Sequence, residues 1–222
     1  MHTRACHLDY LRDLVGPALS FPVPRSLYHA EFDGRYYLFT SRLPGRTLEE
    51  AWPTMTESER EPCADRIVTI CKEPISRGGK RDAICGVDGA HIGETWMAPP
   101  RQHVLDYSPQ AQLAYCSELG MDHSDLVFQQ NDMAPQNIIV DVSRTGEEAI
   151  GIIDWEMAGF VPMDWIRTKF RVCFAWDFDF AGNDVEKSRD MRERVQQKLG
   201  QEGFCDVREA YLARWKASGP ES

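Results

Sequence analysis

Apolar residues recur along this chain at two spacings, and the changes of spacing mark most of its elements. Residues 8–14 carry them at helical intervals, and Gly16-Pro17 is a strong stop. Phe21-Pro22-Val23-Pro24 is expected to be extended, because a residue that precedes proline is pushed out of the helical region. Residues 26–30 and 36–40 read as two strands around a turn at Asp33-Gly34. Leu43-Pro44-Gly45 breaks that pattern. The chain is expected to divide there, into a small strand-rich lobe (1–43) and a larger helical one (44–222).

Thr56 and Glu59 have the spacing of a capping box. Behind them Cys63, Ile67, Ile70 and Cys71 fall on one helical face, with Pro62 expected to kink that helix or delay its start. Residues 76–108 are rich in glycine, proline and charge, and read as a long irregular insertion. Residues 110–119 predict a helix ending at Gly120. The most regular stretch follows. Leu126-Val127-Phe128 is an apolar run leading into a polar loop; residues 137–141 and 149–153 are strand-like, and Ser143-Arg144-Thr145-Gly146 supplies turn chemistry between them. Residues 185–199 and 206–216 read as helices, the first so charged that only a narrow stripe of it can be buried. No internal repeat is visible.

Composition narrows the class. The 222 residues suffice for one substantial core, or one core with a small lobe attached. A net charge of −10 argues against a nucleic-acid partner, which needs a basic surface. It is compatible with drawing a cationic small molecule into an acidic cleft, although on charge alone plain solubility is the stronger account. Seven cysteines with no C-x-x-C spacing fit neither zinc ligation nor a stapled secreted fold, and point to reduced, mostly buried thiols in a cytoplasmic protein. Residues 1–14 hold no apolar run suited to a signal peptide, and nothing approaches a membrane span.

The candidate chemistry lies at the mouth of the hairpin. Asp132 follows an apolar strand, Asn137 stands five residues later, and Asp154 ends the returning strand. Two strands joined by a tight turn bring Asn137 and Asp154 together at one end. Magnesium takes oxygen ligands, and commonly one or two protein carboxylates together with substrate phosphates. Asn137 and Asp154 suit that role, and Asp132 is placed to receive a proton from an attacking hydroxyl. Taken singly, each of the three is about as well explained as a turn former or cap. Taken together, their order is the one that kinase-type phosphoryl transfer uses. The aromatic cluster Trp165, Phe170, Phe174, Trp176, Phe178 and Phe180 reads as core. The interleaved Asp164, Asp177 and Asp179 read as solvated, with a cationic substrate as the less favoured alternative.

Gln130-Asn131-Asp132-Met133-Ala134-Pro135-Gln136-Asn137-Ile138-Ile139-Val140, followed by Gly151-Ile152-Ile153-Asp154-Trp155-Glu156-Met157-Ala158-Gly159-Phe160, resembles the aminoglycoside phosphotransferase family, which includes choline-kinase-like enzymes. That family's usual form is H-[GN]-D-x-x-x-x-N-[IL]-[IL]-V and then I-I-D-W-E-x-A-G. A following A-G-F-x-P, and a segment like Ile84-Cys85-Gly86-Val87-Asp88-Gly89, are fungal-type features. Residues 36–48 resemble the hinge whose backbone holds adenine. The resemblance implies an α+β, protein-kinase-like fold with a reduced N-terminal strand lobe and a mainly helical C-terminal lobe. It also implies ATP and Mg2+ as cofactors and a small-molecule hydroxyl as acceptor. Asp132 would be the catalytic base, Asn137 and Asp154 the magnesium ligands, and Thr40, Ser41, Arg42 and Leu43 the adenine-facing hinge. Trp155 and Glu156 would shape the wall beside the metal loop, with a packed core role equally open to Trp155.

Two departures from the pattern stand out. Gln130 replaces the family's loop histidine, and glutamine can likewise donate and accept. The stretch ahead of the hinge has neither a glycine-rich loop nor any lysine, so an N-terminally truncated relative is expected, and a non-catalytic, pseudokinase-like binding module is the alternative function. A metal-dependent hydrolase built on Asp132 and Asp154 is a third reading. It lacks the histidine-rich ligand sets common in such sites, since His91, His103 and His123 are scattered.

Overall fold

The computed structural model describes residues 4–15, 19–73, 81–98, 106–141, 146–180 and 184–217. Gly16-Pro17, the turn residues Ser143 to Thr145, and parts of the 76–108 insertion lie outside them. Asp33 and Gly34 both take positive φ (51° and 67°), the backbone of a two-residue hairpin turn. They join β1 (Ser26–Phe32) to β2 (Arg35–Thr40) in an antiparallel ribbon. Ahead of it, α1 (Arg4–Tyr10) continues into a π-helical turn over Leu11–Val15. Leu8, Leu11 and Phe21 are buried in the same hydrophobic cluster as the rest of the protein. Tyr28, Phe32, Tyr37 and Phe39 of the ribbon are exposed.

Two small sheets carry the middle of the chain. In one, β3 (Arg46–Thr47), β5 (Ile138–Val140) and β6 (Ile150–Ile152) pair antiparallel, with Ile139 opposite both Thr47 and Gly151. In the other, β4 (Leu126–Gln129) pairs with β7 (Gly159–Pro162), and all eight residues of that pair are buried. Gly45 makes the turn into β3 at φ 112°, and a Cβ there would stand 2.4 Å from the Val140 carbonyl oxygen, so only glycine fits.

Helices pack around these sheets. After the short α2 (Leu48–Ala51), α3 (Glu57–Lys72) starts where expected, with the Glu59 carboxylate accepting the Thr56 N–H at 2.7 Å. The helix runs through Pro62 rather than starting after it. The Ser58 carbonyl that loses its N–H partner belongs to an exposed residue, so water can satisfy it. Pro109–Glu118 forms α4, capped by the Ser108 hydroxyl. Of the aromatics read from sequence as core, Trp165 and Phe170 lie on α5 (Met163–Val172) and are buried, whereas Phe174, just beyond it, is exposed to solvent. Finally α6 (Val185–Gln201) packs on α3 and α5, and α7 (Arg208–Ala217) packs on α5. The described part of the insertion is irregular but not peripheral. It bridges to β7 through Cys85 and buries Ile84, Ile92, Glu94 and Met97. No helix among the described residues is long and apolar enough to cross a membrane.

Candidate active site

Four buried residues of β4 bring the chain to Gln130, and the backbone then turns sharply. Asn131 has φ 64°, a conformation that asparagine tolerates better than most residues. Its side-chain amide donates to the Met157 carbonyl at 3.1 Å, which ties this loop to the one after β6. Gln130 adds a second tie. Its Nε2 donates to the carbonyls of Ile153 (3.1 Å) and Asp154 (2.8 Å), while its Oε1 accepts the Asp132 N–H at 2.6 Å. Glutamine thus bridges the two loops from the position where the family has histidine.

Asp132 and Asn137 are in direct contact. The Asn137 Nδ2 donates to the Asp132 backbone carbonyl at 3.0 Å and to its Oδ2 at 2.9 Å. Both bonds use the amide nitrogen, so the Asn137 Oδ1 is left for another partner. A single 3-10 turn over Pro135–Asn137 closes the five-residue spacing, with the Asn137 N–H on the Ala134 carbonyl. Across the ribbon the Ile153 N–H donates to the Asn137 carbonyl at 2.9 Å. Asp154 is the next residue, in the left-handed region at φ 53° and ψ 67°. Asn137 and Asp154 therefore stand at the same end of β5 and β6, and Asp132 stands against Asn137. The donor set is amide oxygen plus carboxylate, which fits a hard cation. Among the described residues no three His, Cys, Asp or Glu side chains gather as metal ligands.

The outer face of β5–β6 borders a cavity of about 470 Å³ lined by Leu43, Pro44, Ile139, Gly151 and Phe21. Gly151 lets Leu43 and Pro22 pack close against the strand. A Cβ there would meet the Leu43 Cδ1 at 2.7 Å and the Pro22 carbonyl oxygen at 3.0 Å. Of the four hinge positions, only Leu43 lines this cavity. Thr40 pairs with Ser26, and Ser41 is bound to Arg25 through both its N–H and its hydroxyl, at 2.9 Å each. Trp155 is a core residue: it is buried, donates to the Ile152 carbonyl at 3.0 Å and stacks between Phe21 and Phe128.

Three residues with a hand in the site have no role in the sequence reading. The Trp176 Nε1 donates to the Asp132 Oδ1 at 3.0 Å. The Lys169 Nζ donates to the Asn131 carbonyl and pairs with the Glu94 carboxylate, both partners being buried. A signal for Lys169 exists in the sequence, because it shares a helical face with Trp165, Ile166, Phe170 and Cys173, where a cation must find a partner. Nothing in the sequence separates Trp176 from an ordinary core aromatic. Two of the acidic residues weighed as substrate-facing are otherwise engaged: Asp177 pairs with Arg192 and Arg189, and Asp164 accepts the Asp122 N–H. Burial pushes the nearby Cys173 thiol up to about 11, so it is not a nucleophile at neutral pH.

This architecture recurs in solved structures. A thermostable mutant of aminoglycoside phosphotransferase APH(4)-Ia matches 95% of this chain and 72% of its own, at 16% identity and a TM-score of 0.61. The GDP complex of a mutant aminoglycoside 2'-phosphotransferase-IIIa matches 97% and 72%, at 12% identity and 0.54. Aminoglycoside phosphotransferase APH(3'')-Id from Streptomyces rimosus matches 95% and 81%, at 17% identity and 0.51. These likenesses establish a protein-kinase-like fold. No curated protein matches the chain in sequence. The profile of the phosphotransferase enzyme family covers residues 8–165, which takes in the hinge, the Asp132–Asn137 loop and the Asp154 loop, and the chain belongs to that family.

Proposed function

We propose that this protein transfers the γ-phosphoryl group of ATP to a hydroxyl of a small molecule, with Asp132 as the base. The supporting observation is the bond between Asp132 and Asn137 at the end of the ribbon where Asp154 also stands. In the transfer, the acceptor oxygen bonds to the γ-phosphorus as the β–γ bridging P–O bond breaks. The acceptor's proton passes to the Asp132 carboxylate, and ADP leaves. Asn137, through Oδ1, and Asp154 would hold magnesium, which when bound offsets phosphate charge. The adenine would lie in the cavity between Leu43 and Ile139. With the Ser41 N–H committed to Arg25, the N–H groups of Arg42 and Leu43 remain to meet its edge.

The similar structures support one acceptor class: two structures with this fold hold hygromycin B with AMP-PNP and gentamicin, respectively, and the net charge of −10 is compatible with a cationic acceptor. An amino alcohol or amino sugar is the acceptor we infer. Incubation with ATP, magnesium and a panel of such acceptors should release ADP, with Asp132→Asn slower by about a hundredfold or more. Turnover no greater than in the Asp132→Asn control would overturn the assignment.

A further inference from the structure

We infer that Trp176 positions the Asp132 carboxylate for phosphoryl transfer, a role that rests on the phosphotransferase reading. Asp132 presents two oxygens, and each meets an N–H: Asn137 Nδ2 at 2.9 Å on Oδ2, and Trp176 Nε1 at 3.0 Å on Oδ1. One donor alone would let the carboxylate turn about its Cβ–Cγ bond. Two donors on opposite oxygens fix its plane. A carboxylate oxygen has two acceptor directions, so Oδ1 keeps one for the acceptor hydroxyl. The indole nitrogen only donates, so it cannot compete for the proton that the carboxylate receives.

The indole is itself held in place. Trp176 is 3% exposed and meets Phe170 edge-on, with centroids 5.0 Å apart and planes at 68°. The Lys169 Nζ lies 5.1 Å from its ring centroid. Behind it, a cavity of about 20 Å³ among Trp165, Met133 and Lys169 is the space left. That is room for about one water and far too little for an indole, so the ring has nowhere to swing. Lys169 also donates to the carbonyl of Asn131, the residue before Asp132, and is anchored by Glu94. One buried cation thus sets both ends of the Trp176–Asp132 bond. A small misplacement of a reacting group is costly in rate, which gives this frame a catalytic consequence.

The test uses the full chain labelled with 15N. Trp176→Phe keeps an aromatic ring at the position, removes one of the six indole N–H signals and so identifies it. That signal should move upfield in Asp132→Asn, whose neutral oxygen is a weaker acceptor, while the other indole signals stay in place. In turnover, Trp176→Phe should lower kcat about tenfold and leave the KM for ATP within about twofold, because only the aim of the base has changed. An indole signal unmoved by Asp132→Asn, or an unchanged kcat in Trp176→Phe, overturns the inference. If the wild-type chain turns over no acceptor, the phosphotransferase reading fails, and the indole signal still decides whether Trp176 holds Asp132.

Discussion

Gln130 shows how one side chain can fasten two loops. Its three hydrogen bonds join the Asp132 N–H to the carbonyls of Ile153 and Asp154, and the residue is buried. Truncation would leave one donor and two acceptors without their partner in a part-buried junction. Gln130→Ala should therefore lower unfolding stability by about 1–3 kcal/mol, read from the denaturant midpoint at constant slope. A loss under about 0.5 kcal/mol would mean that the loops hold each other without it. Gln130→His should fall between the two, since a neutral imidazole offers one donor and one acceptor. These contacts were partly legible in advance. Asp132 and Asn137 are five residues apart, so local loop geometry alone sets their meeting. The partners of Gln130 lie 23 and 24 residues away, across a turn that the sequence also announces.

Among elements, the least expected join is between α5 and the insertion. Lys169 and Glu94 are 75 residues apart and both are buried, so neither can lose the other without leaving a charge in an apolar interior. Lys169→Met should cost about 3–5 kcal/mol. Adding Glu94→Gln should recover a substantial part, so a double-mutant cycle should give a coupling above about 1 kcal/mol, and additivity would contradict the pairing. Such a contact is illegible from local pattern, because the insertion has no periodicity and only the fold brings it to α5.

The α3–α6 seam behaves differently because it faces water. Hydrogen bonds from Lys198 and then Arg194 hold the Glu61 carboxylate below its ordinary value near 4.5. A depressed carboxylate contributes stability above its unfolded pKa and loses it as pH falls through the folded one. Acid should therefore weaken this seam from about pH 4.5 downward. Glu61→Gln should flatten that acid limb while leaving neutral pH little changed, whereas an unaltered acid limb would show that the ion pairs there contribute nothing.

Across the whole molecule, one core spans both ends of the chain, with Leu8 and Phe21 in the same cluster as Leu199 and Tyr211. The cysteines report on it. Burial pushes the thiols of Cys63, Cys71 and Cys116 up to about 12, while Cys205 is exposed and Cys6 half-buried. At pH 8 a thiol reagent should label Cys205 quickly, Cys6 more slowly, and the rest only on unfolding. Rapid labelling of Cys71 would show that the core is open. The paired motifs, the hairpin turn and the α3 cap were readable because each is encoded within a few residues. Trp176 was not, since it reaches Asp132 from 44 residues away and looks like any core aromatic.

The most direct measurement of the central claim is the melting temperature of the wild type and of Asp154→Asn, each with ATP, with and without magnesium. Ligand at a hundred times its dissociation constant adds about 2.7 kcal/mol, so the wild type should melt several degrees higher only when both are present, and Asp154→Asn should lose that rise. An equal response in both proteins, or none in the wild type, would contradict a nucleotide–magnesium site at the mouth of the β5–β6 ribbon.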